Sequence, residues 1–340
     1  MGRRRSGNGP TREADPAQGV GPTREAGPAQ RTSAPAGSRA PGMVLTAALA
    51  IVCCALWGSA FAFVKLGYQL FEVAADAPAQ QVLFAGMRFT LAGVYVLLGT
   101  AIARRRLPLP SRRDLVPIAL VALLQTTLQY AFFYIGLANA SGTNSALVQG
   151  TSAFVQIVLA TLVFRQERLT GRKLVGCLLG LGGVALVTLR AGGMIGAWSM
   201  QGEGLVLMSV IAGGCAACLM RRFGVSGDPF MLTGWQFVAG GVALMGIGAL
   251  LGGRIGTCSV PAVGVLAYLG ALSAIAFSVW SWLLKYNPVS RVAMFRFFIP
   301  LCGVLFSVAF LGEVVPSEQL PALVGALALI AVGTVVVNVE

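Results

Sequence analysis

Phe84-Ala-Gly-Met-Arg-Phe-Thr-Leu-Ala-Gly93 lies inside one long apolar run of the chain, and Leu232-Thr-Gly-Trp-Gln-Phe-Val-Ala-Gly-Gly241 lies inside another. An offset of 148 residues superposes Gly86 on Gly234, Phe89 on Phe237 and Gly93 on Gly241. Later in each half, Phe164-Arg-Gln-Glu167 matches Phe310-Leu-Gly-Glu313 at an offset of 146. The chain therefore reads as two related halves, 43–190 and 203–338, preceded by a segment of different character at 1–42.

The apolar runs number about ten, near 43–66, 82–103, 115–138, 143–164, 172–190, 203–221, 231–252, 262–284, 290–311 and 319–338. Each can cross about 30 Å of hydrocarbon at about 1.5 Å per residue. The expected fold is thus an all-α integral membrane protein of about ten transmembrane helices, five in each half. Five is odd, so the second half enters the membrane in the opposite orientation. That makes an inverted-topology repeat, with a binding site expected near the midplane between the halves.

Composition agrees. Apolar residues make up 56% and charged residues 11%, where a soluble domain has roughly 45–50% and 25%. The formal charge of +13 raises the possibility of a nucleic-acid partner, but such a protein needs its Lys and Arg on one continuous face. Here the basic residues come in clusters separated by apolar spans, the pattern of topology-setting charges. Placing the N-terminus in the cytoplasm puts 20 of the 25 basic residues inside and only Lys65, Arg190 and Arg254 outside. Without the tail the ratio is still 13 to 3. Both termini are expected to be cytoplasmic.

Residues 1–42 are rich in Gly, Pro, Arg and Ala and contain a near-duplication, Gly9-Pro-Thr-Arg-Glu-Ala-Asp-Pro-Ala-Gln18 and Gly21-Pro-Thr-Arg-Glu-Ala-Gly-Pro-Ala-Gln30. Such a segment buries too little apolar area to offset chain entropy and is expected to be disordered. Met43 stands directly before the first apolar run, and a translation start there is a further expectation; N-terminal sequencing that finds Met1 or Gly2 would overturn it.

Ala55-Leu-Trp-Gly-Ser-Ala-Phe61 in the first span, Arg88-Phe89 in the second, and Phe310-Leu-Gly-Glu313 with Pro300 before it and Gly325 and Gly333 after it form an ordered set of motifs. In that set, across 43–338, the chain resembles the EamA-type proteins of the drug/metabolite transporter superfamily. The resemblance implies ten helices, export of amino acids or related metabolites, and no cofactor. It places the chain as a multi-pass protein of a bacterial inner membrane. Phe154 departs from the pattern, standing where the first half would carry the counterpart of Pro300, so the fourth span is expected to be straighter than the ninth.

Polar groups inside a membrane are costly, which makes each a candidate site residue. Ser145, Gln149, Ser152 and Gln156 fall at spacings that put all four on one helical face. Gln125 and Gln129 are one turn apart in the third span and lead into Tyr130 and Tyr134. These stripes suit a hydrogen-bonding cavity; singly, each glutamine also suits an interhelical hydrogen bond. Arg88 and Arg296 lie within spans, where each fits either an anionic substrate group or a side chain snorkelling to headgroups. Gln236 occupies the repeat position of Arg88, and Trp57 and Trp280 fit stacking or gating as well as plain packing. No Asp or Glu lies deep within a predicted span, which argues against a proton-coupled cation exporter and for a zwitterionic, anionic or neutral solute.

The chain contains no histidine, and its lysines Lys65, Lys173 and Lys285 stand at span ends, so an intramembrane enzyme has little to work with. A non-transporting sensor or scaffold would call for an extramembrane domain, and the loops are short. Gly176 and Gly180, and Ala322 and Ala326, have the small-xxx-small spacing that packs helices closely, within one molecule or across a homodimer. The expected partners are therefore membrane lipids and a small-molecule substrate.

Overall fold

The computed structural model describes residues 41–74, 76–140, 142–190, 198–256, 258–311 and 319–338. The tail expected to be disordered lies, through residue 40, outside the described residues, as does Glu313 of the closing motif. In the first half, α1 (Met43–Leu70), α2 (Pro78–Arg104) and α3 (Leu115–Leu137) are followed by two shorter pieces, α4 (Gly142–Gly150) and α5 (Ser152–Val163), and by α6 (Gly171–Arg190). The second half has α7 (Met200–Gly224), α8 (Pro229–Leu250), α9 (Val260–Tyr286), α10 (Val289–Phe306) and α11 (Leu320–Asn338). Among the described residues eight helices are long and apolar enough to cross a membrane, all of these except α4, α5 and α6.

Helices form here because a chain in hydrocarbon must satisfy its own backbone hydrogen bonds within each segment. Their ends are set by local chemistry. Pro78 and Pro229 occupy first turns, where a missing N–H costs nothing. Asp228 caps α8 by accepting from the Phe230 amide at 3.1 Å. Glu72 and Arg105 turn left-handed, at φ 54° and 52°, just past the ends of α1 and α2. The bundle is apolar outside, with Ile102, Leu250 and Val260 each more than three-quarters exposed, whereas Ser209, Thr233, Gln236 and Ser273 are wholly buried.

The fourth span, expected to be straighter than the ninth, is interrupted at Thr151, whose backbone stands at φ −71°, ψ −7°. The Thr151 hydroxyl donates to the Val148 carbonyl at 2.6 Å, and its amide reaches the same carbonyl at 3.1 Å, so a tight turn replaces the continuing helix. α5 then closes in a wider π-turn at Leu159–Val163. α10 is irregular too, tightening into a 3-10 turn at Met294–Phe297.

Glycines let α2 and α8 meet backbone to backbone. A methyl group added at Gly86 would stand 2.5 Å from the Met245 amide nitrogen and 2.8 Å from the Gly241 carbonyl oxygen. One added at Gly93 would stand 2.8 Å from the Gly234 carbonyl oxygen. Between these contacts Phe89 and Phe237, both fully buried, stack with their centroids 5.3 Å apart. A second seam joins α6 to α11, where a methyl at Gly176 would lie 2.6 Å from the Gly333 carbonyl oxygen. The small residues of the fifth span are thus engaged within one chain.

Backbone cannot yield as a flexible side chain does, so Gly86→Ala is expected to destabilise the protein by about 1–3 kcal/mol. Gly99→Ala, on the same helix with open space around it, is expected to leave the melting temperature in detergent unchanged. Equal melting of the two variants would show that the α2–α8 seam is not close-packed.

Candidate functional site

The polar stripes meet in one cavity. Gln125 and Gln129 reach it from α3, Gln149 from α4, Ser152 and Gln156 from α5, and Arg296 from α10. Gly213, Ala217 and Met220 of α7 and Phe277, Trp280 and Leu284 of α9 complete the wall. It admits the centres of water molecules over only about 20 Å³, room for roughly one or two waters. A larger cleft of about 640 Å³ lies between α2 and α9, lined by Tyr95, Val96, Phe230 and Ile275 among others. Of its polar side chains, Thr100 donates to the Val96 carbonyl and Arg104 to Asp228, so the smaller cavity is the one that gathers unpartnered polar atoms.

Irregular helix geometry carries these side chains. Gln125 sits on a π-turn spanning Ala122–Leu128, a feature frequent at functional sites. Gly213 leaves room for Gln129, since a methyl there would stand 2.8 Å from the Gln129 Oε1. Ser152 begins the helix that restarts after Thr151, and Arg296 lies on the 3-10 turn of α10. The side-chain oxygens of Gln125, Gln129 and Gln156 are buried without a hydrogen-bond partner in the protein, as is the Arg296 Nε. Gln149 instead donates to the Ser209 hydroxyl at 3.1 Å. The Arg296 guanidinium lies 5.6 Å from the centre of the Trp57 ring. Trp57 packs edge-on against Trp280 at 4.9 Å and Phe277 at 5.0 Å, so it backs the cavity wall.

The other candidates lie behind this shell. Arg88 is buried and donates through Nε to the Ser273 hydroxyl at 2.9 Å, with Phe89 5.2 Å from its guanidinium carbon. Gln236 is wholly buried and accepts from the Thr126 hydroxyl at 2.8 Å, joining α8 to α3. Tyr130 lies against Phe89 at 4.3 Å and Tyr134 at 6.2 Å, in the aromatic layer beside the cavity. Ser145 is buried in α4 and does not line the cavity wall.

Two carboxylates tie the halves together at helix ends. Glu167, in the turn after α5, accepts from Lys173 Nζ at 2.8 Å, from the Ser290 amide at 3.2 Å and from the Ser290 hydroxyl. Ser290 belongs to the first turn of α10, where the helix dipole favours an anion. Glu203, in the first turn of α7, is 1% exposed and accepts from Asn144 Nδ2 at 2.8 Å and from the Ser199 amide at 2.9 Å. The sequence reading missed this role. The signal was Ser199 ahead of Glu203, a capping box stretched by one residue because the turn Met200–Gly204 is π-helical. Ser199 completes it by accepting from the Gly202 amide at 2.8 Å.

This arrangement is that of a polar cavity inside an apolar helical bundle, and comparison with known proteins shows the family. The chain belongs to the EamA-like transporter family. The family model matches residues 44–189 and again residues 200–339. An uncharacterized transporter of Archaeoglobus fulgidus is 27% identical over 76% of this chain and 86% of its own length. The uncharacterized transporter YvbV of Bacillus subtilis is 29% identical over 71% of this chain and 78% of its own. A chloroplastic WAT1-related protein of Arabidopsis thaliana is 26% identical over 69% of this chain and 58% of its own. A solved crystal structure superposes with a TM-score of 0.71 at 20% identity, covering 87% of this chain and 96% of that one, and shares its fold. This EamA-family chain is a multi-pass membrane transporter and not an enzyme.

Burial opposes the charge on Glu167, but the donors from Lys173 and Ser290 outweigh it and hold its pKa below the ordinary carboxylate value. A depressed pKa contributes stability above the unfolded-state value of about 4, and that contribution is lost as the pH falls through the folded-state value. Wild-type melting temperature is expected to drop on acidification through that window. Glu167→Gln is expected to lose about 1–3 kcal/mol at neutral pH and to show a flatter acid limb. Parallel acid limbs for the two proteins would refute the clasp.

Proposed function

We propose that the protein is a secondary transporter that exports a small polar metabolite, an amino acid or related compound, across a bacterial inner membrane by alternating access. The observation that carries this reading is the small polar cavity between irregular helices of both halves. Discontinuous helices around a buried polar site are how secondary transporters hold a solute near the midplane.

Counting α4 and α5 as one interrupted span and α6 as another completes ten spans in two inverted five-span halves. Several contacts support that count. The repeat offset exchanges Gly86 with Gly234 and Gly93 with Gly241, and the pairs in contact are Gly86 with Gly241 and Gly93 with Gly234. Exchanging the halves therefore maps the contact set onto itself, and Phe89 stacks on its own repeat mate Phe237. The offset of 146 brings Thr151, where the fourth span breaks, onto Phe297, where the 3-10 turn of α10 ends.

The same offset brings Asn144 onto Ser290. Asn144 donates to Glu203 and Ser290 to Glu167, each across the boundary between the halves. With the N-terminus cytoplasmic, the Glu167 clasp closes the inner side and the Glu203 clasp the outer side. In alternating access each opens in turn. Export, as against uptake, follows from the family resemblance.

The deciding experiment is counterflow in proteoliposomes against amino acids, sugars and lipophilic cations. Saturable exchange of one solute class is expected, reduced about tenfold or more by Gln156→Ala, which removes a cavity group while leaving the glycine seams intact. Absence of exchange by folded, oriented protein would point to a sensor or scaffold. Orientation has its own test: Cys258, exposed in the turn between α8 and α9, is expected to react with a membrane-impermeant maleimide on intact cells. Labelling only after permeabilisation would reverse the topology.

A further inference from the structure

Resting on the cavity as the transport site, we propose that its solute carries a carboxylate held by Arg296 and an N–H or O–H group held by the oxygens of Gln125, Gln129 and Gln156. Arg296 is therefore the substrate anchor.

The cavity has an unmatched charge. Arg296 lines it with its Nε unpartnered, and its guanidinium carbon lies 5.6 Å from the centre of the Trp57 ring. The carboxylates whose partners are known are engaged elsewhere: Glu167 with Lys173 and Ser290, Glu203 with Asn144 and Ser199, and Asp228 with Arg104. An aromatic face offsets part of the cost of a buried cation, but it leaves the planar N–H fork unmet. Arg88 makes the contrast, because its Nε already donates to Ser273. Of the two span arginines, Arg296 is the one with a free donor facing a cavity.

The acceptors are equally unmatched. Gln125 and Gln156 are 7% and 3% exposed, line the cavity, and keep an oxygen without a donor, as does Gln129. Buried polar atoms are normally paired, so an orphaned set converging on one space marks where a ligand completes it. One cation and three acceptors complement an anion joined to a donor. Carboxylate and guanidinium match in shape as well as charge, forming two parallel hydrogen bonds. Hydroxy acids and amino acids share this chemistry.

A guanidinium whose Nε has no partner in the protein should also make Arg296 a burden on stability. A buried charge lacking its partner destabilises a fold, so binding and stability pull in opposite directions at this position. A purely structural arginine would behave in the reverse way.

The test is thermal melting of the full-length protein in detergent with millimolar lactate, malate, alanine or glutamate, with propionate as a carboxylate lacking a donor, and with glycerol and choline as neutral and cationic controls. At least one hydroxy or amino acid is expected to raise the melting temperature, propionate less, and glycerol and choline not at all. Arg296→Gln should abolish the shift, and Arg296→Lys should keep it with about tenfold weaker apparent affinity, because charge remains but the fork is lost. Without ligand, Arg296→Met is expected to melt at or above wild type, whereas Arg88→Met melts below it. A carboxylate shift that survives in Arg296→Gln, or a wild type unmoved by every carboxylate, overturns the proposal. Counterflow of a neutral or cationic solute that ignores Arg296→Gln also overturns it while leaving transport standing. Counterflow of no solute at all removes the transport reading itself.

Discussion

Backbone hydrogen bonding in the absence of water is the constraint on which this structure depends. A segment crossing hydrocarbon must pair its own N–H and C=O groups, so helices form the shell and departures from regular helix need their backbone groups satisfied nearby. The break at Thr151, the π-turn at Ala122–Leu128 and the 3-10 turn at Met294–Phe297 all supply residues to the wall of one cavity or flank it. Irregularity and polarity coincide because both need the same shelter. The Thr151 hydroxyl, bonded to the Val148 carbonyl, shows how a side chain makes such a break tolerable.

Packing and binding are divided between regions. Where α2 meets α8 and α6 meets α11, glycines bring backbones into contact, and Phe89 stacks on Phe237 between two such contacts. Around the cavity, glutamines, a serine and one arginine share the wall with aromatic rings and with small and aliphatic residues such as Gly213, Ala217 and Leu284. Close packing at the seams holds the halves in register. The cavity leaves the oxygens of Gln125, Gln129 and Gln156 and the Arg296 Nε without a protein partner, the kind of local departure from full satisfaction expected at functional sites.

Charge is distributed with the same logic. Arg104 pairs with Asp228, and Glu167 with Lys173 and Ser290, at the ends of helices, where they tie one element to another. Glu203 and Asn144 make a comparable link between α7 and α4. Arg88 is buried but hydrogen-bonded to α9. Arg296 alone among these is set against the cavity with a donor unused.

Much of this was legible in the amino-acid sequence. The apolar runs located the helices to within a few residues, as at 115–138 against Leu115–Leu137 and 172–190 against Gly171–Arg190, because hydrocarbon thickness dictates span length. The spacing of Gln125 and Gln129, and of Gln149, Ser152 and Gln156, placed each set on one face because helical periodicity is local. What periodicity cannot express is which faces of different helices meet. Only the tertiary structure separated Arg296, at the cavity, from Arg88, on Ser273, and set Gln236 on Thr126. It also broke the fourth span at Thr151 and paired Glu203 with Asn144, since a helix break and a cross-helix carboxylate contact depend on neighbours distant in the chain. The sequence by itself determined a membrane bundle with polar stripes; the packing of the helices decided that Gln125, Gln129, Gln149, Ser152 and Gln156, but not Ser145, line one cavity with Arg296.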